Sequence, residues 1–218
     1  MTKTQPDYIP ALGFRVLTPF YDTIQRWVVR DAHFKLRLIE LAAVRPGQHV
    51  LDIGCGTGTL ALMVKKAHPE AEVVGLDADP EMLKNARAKA ARQALAAKFD
   101  QGMASELPYP DASFDRVLSS LMIHHLKTAD KERMALEICR VLKPGGEMHV
   151  LDFGKPRTFY ARLIGRLMHG FEETGDNLAG RLPGIFEQGG LLVSENGDYQ
   201  TFFGSLTFLK GQKPEPQG

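Results

Sequence analysis

The sequence predicts an α/β fold, a mostly parallel sheet covered by helices on both faces. Two observations carry this. Continuous apolar runs alternate with segments of helical period, and the first run passes through a glycine-rich turn into a helix.

The elements follow in order. Phe14 to Ala43 reads as mostly helical and precedes the alternating pattern, as an extra cap or lid. His49 to Gly54 is a first buried strand and Thr59 to Ala67 a helix. Val73 to Asp77 is a second strand. Asp79 then offers an N-cap, and Pro80 sits where a first helical residue tolerates its missing N–H. The segment EMLKNARAKAARQALAA is rich in strong helix formers. A weak strand at Lys98 to Gly102 and the Pro-rich connection LPYPDAS lead to a third convincing strand, Asp115 to Ile123. Ala135, Ile138, Cys139 and Leu142 form one helix face, which Pro144-Gly145-Gly146 stops before a strand at Glu147 to Phe153. In the tail, LLVSEN and QTFFGSLTFLKG, with Gly197-Asp198 as the turn, predict a closing hairpin at the sheet edge. The final KPEPQG is a frayed end.

The 218 residues suit one domain with modest elaboration, and 44% hydrophobic with 24% charged residues is the balance of a chain with a real core. With 27 basic against 26 acidic residues, nothing favours a nucleic-acid partner. No apolar run reaches the roughly 18 residues of a membrane span, and MTKTQPDYIP lacks the apolar centre of an export signal, so the expected location is cytoplasmic. Cys55 and Cys139 are too few for a disulfide framework or a multi-cysteine zinc site, and no metal-ligand cluster is visible.

The sharpest local feature is VLDIGCGTGTL. Glycines let the backbone turn tightly and let a ligand approach where a Cβ would collide. The helix beyond is expected to offer free N–H groups and a positive dipole end to a carboxylate or phosphate. Asp77 ends the second strand at about the 20-residue offset from which an acid reaches ribose hydroxyls. A tight turn and an ordinary strand end would leave the same glycines and acid, but strand context and offset together favour a nucleoside ligand. The spacing is G-x-G-x-G rather than the dinucleotide G-x-G-x-x-G, no Tyr is followed by Lys four residues later, and the G-x-x-x-x-G-K-[ST] phosphate loop is absent. NAD and ATP recede.

DIGCGTGTLAL, VVGLDADPEML, LPYPDASFDRVLSSLMIHHL and LKPGGEMHVLDFGKP, in that order, resemble the successive motifs of class I S-adenosylmethionine-dependent methyltransferases. VRPGQHVLD, LPYPDASFD and LKPGGEMHVLDFGKP are most similar to the ubiquinone/menaquinone C-methyltransferases among them. The resemblance implies a Rossmann-like three-layer sandwich with a seven-stranded, mostly parallel sheet whose last strand is antiparallel. An N-terminal helical cap (1–44) would precede the methyltransferase domain (45–213), which would carry a substrate-side helical insert at 155–189 ahead of a disordered tail (214–218). It implies S-adenosyl-L-methionine as cofactor, with S-adenosyl-L-homocysteine as product. Gly54, Gly56 and Gly58 would lie against the methionine part with Asp52 nearby, and Asp77 would take the ribose hydroxyls. Ala78 and Met82 would line the adenine, Met103 and Ala104 its other edge, and Ser120 would approach the methionine moiety. Many relatives carry Asp or Asn where this chain has Met103, which offers the adenine only its backbone and an apolar surface.

If the acceptor must lose a proton, the base candidate is His125, with His124 the weaker alternative; both also suit packing of the next helix turn, the preferred reading for His124. Tyr21 is either a lid over the cofactor or an aromatic packing a cap helix, and Cys55 reads as a small filler. After Pro156, Tyr160, Leu163, Ile164, Leu167 and Phe171 fall on one helical face, with Arg162, Arg166, His169 and Glu173 on another. That helix either roofs a lipophilic pocket, touching a membrane surface through 156–171, or packs on the sheet edge with a solvated basic face. The expected reaction is methylation of a small lipophilic or aromatic acceptor, quinone-ring C-methylation first. N- or O-methylation of another small molecule or phospholipid headgroup, and a non-catalytic nucleoside-binding module, are the alternatives. A homodimer is left open.

Overall fold

The computed structural model describes residues 31–156, 174–201 and 204–216. The predicted helical stretch before residue 31, Tyr21 with it, and the amphipathic segment at 157–173 lie outside them.

Seven strands form one sheet: β1 (His49–Ile53), β2 (Glu72–Asp77), β3 (Lys98–Gln101), β4 (Phe114–Ser120), β5 (Leu142–Phe153), β6 (Leu192–Thr201) and β7 (Gly204–Gln212), in the order β3-β2-β1-β4-β5-β7-β6. β1 to β5 are mutually parallel, and β7 is antiparallel to both β5 and β6. The antiparallel last strand is therefore inserted between its two neighbours, as expected.

Six helices are described: α1 (Asp31–Ala42), α2 (Thr59–Ala67), α3 (Pro80–Gln93), α4 (Thr128–Val141), α5 (Gly175–Ala179) and α6 (Leu182–Gln188). α1, α2 and α3 cover one face, where Leu38, Leu60, Val64 and Leu83 meet Val50, Leu118 and Leu151. α4 and α6 cover the other, where Met134, Ile138 and Phe186 meet Leu51, Ile53, Val117 and Val150. The period-2 alternation of strand side chains explains the division: Val50 and Leu51, neighbours in β1, feed opposite cores. The described part of the expected N-terminal cap thus packs into the main core, with Phe34, Leu38, Ile39 and Ala42 buried.

α3 starts as its sequence dictates, the Asp79 side chain accepting the Glu81 N–H at 2.8 Å with Pro80 in the first turn. Three boundaries differ from expectation. β4 ends at Ser120 rather than Ile123, because Leu121 takes a positive φ of 53° that no strand allows. α4 ends at Val141, ahead of Pro144; Pro144-Gly145-Gly146 instead form the irregularity in β5 where its register on β4 slips between Phe114 and Arg116. Gly197-Asp198 is not the hairpin turn: β6 continues through it to Thr201, and the pairing shift between Glu195 and Asp198 makes it a bulge, with Gly197 at φ 113°.

Candidate active site

The strand order reverses between β1 and β4, so the loops leaving their C-terminal ends part and open a crevice. A cavity lies there. Of the predicted site residues, Asp52, Gly54, Gly56, Asp77, Ala78, Met82, Met103, Ala104, Ser120 and His125 all line it. Four successive strand ends bring them together.

At the end of β2, Asp77 is fixed by the main chain. Its Oδ2 accepts the Gly56 N–H at 2.7 Å and its Oδ1 the Asp79 N–H at 2.9 Å. Burial pushes this carboxyl up, against those N–H groups, which favour its charged form. The acid so held has its oxygens oriented before any ligand arrives. Asp52, 1% exposed, accepts the Ala61 N–H at 3.0 Å and so caps the first turn of α2. Burial raises its carboxyl to about 7; the Lys35 charge and the Ala61 N–H oppose the rise and Asp77 adds to it. Cys55 lines the cavity too, but burial and then the Asp52 and Asp77 charges push its thiol upward, so it stays an unreactive filler.

Several amides of the loop are committed within the fold, and in the first turn of the helix beyond it the Ala61 N–H is committed as well. Gly54 and Cys55 both donate to the Leu76 carbonyl, Gly56 to Asp77, Gly58 to the Cys55 carbonyl and Ala61 to Asp52. The loop is tied to β2 by its own backbone. The glycines also divide their duties differently from expectation. Gly58 does not line the cavity: at φ 73° its missing Cβ faces the Phe99 ring at 2.7 Å and the Ala86 Cβ at 2.9 Å, so it is a packing glycine between α2, α3 and β3. A Cβ on Gly54 would run into the Met122 side chain.

Beyond β4, the positive φ of Leu121 reverses the chain into a 3-10 turn, Ile123–His125, that carries Met122 and His125 to the cavity wall. His124 turns the other way. It is 5% exposed, and its Nδ1 lies 2.8 Å from Asp152 Oδ1. Asp152 is the anchor of this turn. It also accepts the N–H groups of Met122, Ile123 and Phe153 and the Asn177 amide. Burial works to raise the Asp152 carboxyl, but His124 and the Phe153 and Ile123 N–H groups outweigh it and hold it below the usual carboxylate range. His125 is lowered to about 3 by burial and by His124, despite Asp152, so it is neutral at physiological pH.

Sequence reasoning missed Lys35, Met122 and Leu126, which also line the cavity. Only Lys35 left a signal: a cation on the core-facing stripe of α1, among Leu38, Ile39 and Ala42. Among the described residues no group of three or more His, Cys, Asp or Glu could hold a metal ion.

A glycine turn at the switch point of an open parallel sheet, with an oriented acid on the next strand, defines a nucleoside-binding α/β protein. Residues 50–146 match the family described as Methyltransferase domain. The chain is 37% identical over 175 residues to the demethylmenaquinone methyltransferase of Thermus thermophilus, covering 79% of this chain and 78% of that one. It is 37% identical over 145 residues to the Deinococcus radiodurans protein of the same name, covering 66% of this chain and 59% of that one, so it spans less than two thirds of this second relative. The solved structure of the YcgJ protein from Bacillus subtilis, 21% identical, superposes with a TM-score of 0.69 over 84% of this chain and 99% of that one, a likeness of fold alone. The chain belongs to the S-adenosylmethionine-dependent methyltransferase family.

Proposed function

We propose that this methyltransferase moves the methyl group of S-adenosyl-L-methionine to a ring carbon of a quinol-type acceptor. The observation that carries the acceptor is 37% identity, over most of both chains, to a protein named demethylmenaquinone methyltransferase. The character of the cavity beyond the glycine loop agrees, since Leu121, Met122 and Leu126 give it an apolar wall beside His125.

The residues present fit the cofactor. Ser120 lines the cavity, and its Oγ is buried without a hydrogen-bond partner among the described residues, a cost that a ligand's polar group would relieve. Asp77, already aimed by two backbone N–H groups, would accept the ribose hydroxyls. Ala78, Met82, Met103 and Ala104 would enclose the adenine, with Asp52 toward the methionine end. When bound, the cofactor supplies a sulfonium methyl open to in-line attack. The chain contributes orientation: fixed loop amides, an anchored Met122–His125 turn and apolar walls that exclude water. Neutral His125 would accept a hydrogen bond from the acceptor's hydroxyl through an unprotonated ring nitrogen.

The assay is turnover with S-adenosylmethionine and a chemically reduced naphthoquinone bearing one unsubstituted ring carbon. Carbon-methylated product with equimolar S-adenosylhomocysteine is expected; transfer only to amines, phenolic oxygens or phospholipid headgroups would refute the acceptor. A lipophilic quinol in the cytoplasm would be met at a membrane surface, and 156–171 is the proposed contact. Absence of co-sedimentation with anionic vesicles at low salt would remove that contact. Among the described residues no helix is long and apolar enough to cross a membrane. A homodimer stays a proposal for sedimentation to test.

A further inference from the structure

α5 is only five residues long, yet two neighbouring polar side chains on it, Asp176 and Asn177, are 3% and 1% exposed. A helix that short does not hold itself together, so what its buried side chains grip decides where it sits. They grip the two ends of one segment. Asn177 Nδ2 donates to Asp152 Oδ1 at 3.0 Å, and Asp152 in turn accepts the Met122 and Ile123 N–H groups and pairs with His124. Asp176 Oδ2 accepts the Thr128 hydroxyl at 2.8 Å and the Lys131 ammonium at 3.2 Å, both in the first turn of α4. Between these anchors lie His125, Leu126 and Lys127, all of which line the cavity. The rings of His124 and His125 have centroids 4.1 Å apart, so a displacement of the anchored His124 is passed to His125.

The two grips differ in kind. Lys131 is fully buried, so Asp176 is the counter-charge of an ammonium removed from solvent, and truncating it threatens the fold. Asn177 carries no such duty. Its Oδ1 is buried with no hydrogen-bond partner among the described residues, a cost accepted for a side chain whose other end is committed to Asp152. Stability alone would favour an apolar side chain here. Without the amide, Asp152 keeps the Met122, Ile123 and Phe153 N–H groups and His124, and no orphaned oxygen remains at position 177. What the amide adds is orientation. It places one more donor on Oδ1, the oxygen that also meets His124, and so restrains the carboxylate from which the turn hangs.

We propose that Asn177 is a positioning residue for methyl transfer: acting through Asp152, it sets the Met122–His125 turn against the acceptor. This rests on the reading of that wall as the acceptor side of a methyltransferase cavity. The test compares full-chain Asn177→Ala and Asn177→Leu with wild type. With S-adenosylmethionine and the reduced naphthoquinone, kcat should fall roughly tenfold or more, since a displacement of about 1 Å costs up to about a hundredfold. S-adenosylhomocysteine affinity by calorimetry should stay within about threefold, because Asp77 and the glycine loop are untouched. The urea-unfolding midpoint should stay close to wild type, because an unsatisfied oxygen leaves together with the donor. The His125 ring resonance in carbon–proton NMR spectra, assigned by its loss in His125→Gln, should shift in both variants. A midpoint and a cofactor affinity that fall together with kcat would make Asn177 purely structural and overturn the proposal, as would an unchanged kcat or an unmoved His125 resonance. If the wild-type chain transfers no methyl group to the naphthoquinol, the acceptor reading fails on its own. The His125 resonance, which needs no turnover, then still decides whether Asn177 positions the turn.

Discussion

Gly58→Ala separates two roles that a glycine in this loop could play. The sequence motif implies that Gly58 lies against the cofactor; in the structure its open side faces Phe99 and Ala86. An added methyl meets two penalties. Holding a non-glycine residue at φ 73° costs about 1–2 kcal/mol. The new Cβ would also stand 2.7 Å from one Phe99 ring carbon and 2.9 Å from the Ala86 Cβ, inside contact distance on both sides. Overpacking of this kind costs about 1–3 kcal/mol. Phe99 is 5% exposed and Ala86 fully buried, so neither moves away cheaply. The expected loss is therefore about 3 kcal/mol, or a fall in Tm of about 6–12 °C for a chain of this size. Urea unfolding at neutral pH measures it. In a Phe99→Leu background the ring carbons are gone, and the double variant should be more stable than the sum of the single losses by about 1 kcal/mol or more. Affinity for S-adenosylhomocysteine, measured below the transition, should change by less than about threefold, because the methyl points away from the cavity. A variant within about 0.5 kcal/mol of wild type that had nonetheless lost over tenfold in affinity would refute the reasoning, since the glycine would then serve the ligand.

Three further outcomes follow from the same geometry. Asp77→Asn replaces one of two accepting oxygens with a donor that meets an N–H, and should weaken S-adenosylhomocysteine by roughly tenfold to a hundredfold by calorimetry; affinity within about threefold would contradict the ribose role. His125→Ala should lower kcat about tenfold, the worth of one hydrogen bond. Because His125 gains its proton only below about pH 3, the wild-type kcat profile between roughly pH 5 and 8 should show no step that the variant lacks; a step near 6.5 that vanishes would make it a titrating base after all. Asp152→Asn should cost about 3 kcal/mol by urea unfolding at pH 7, since its oxygens serve three N–H groups, His124 and Asn177. Its folded carboxyl is lowered, so the stability it adds is full above the unfolded value of about 4 and is lost as pH falls through the folded one; the gap between wild type and variant should narrow on acidification, and a gap that widened would reverse the sign of the argument.

Much of the site is legible in the chain because it sits at strand ends, where apolar runs stop at glycines or acids. Asp77 and the glycine turn follow from one βαβ unit, and such units have few ways to fold. Ser120 and His125 emerge from the end of the apolar run after Asp115. Legibility fails where backbone strain or long-range pairing intervenes. Nothing in SSLMIHH announces that Leu121 reverses the chain, since leucine at positive φ is held only by its surroundings, here the Leu121 N–H on the Leu151 carbonyl at 2.8 Å. The bulge at Gly197-Asp198 resembles a two-residue turn locally, and only pairing with β7 shows that the strand continues.

Local order alone determined the alternation of strands and helices, the glycine turn, the acid after β2 and hence a nucleoside-binding sheet. What only the tertiary structure decided is direction: which of two adjacent histidines faces the cavity, which side of Gly58 is open, and that Lys35, seventeen residues before Asp52 in the chain, shares its charge environment. Direction depends on neighbours distant in sequence, such as Asp152 for His124 and Phe99 for Gly58. Propensity and periodicity act over a few residues, so they place a side chain on an element but leave its partners to the packed core.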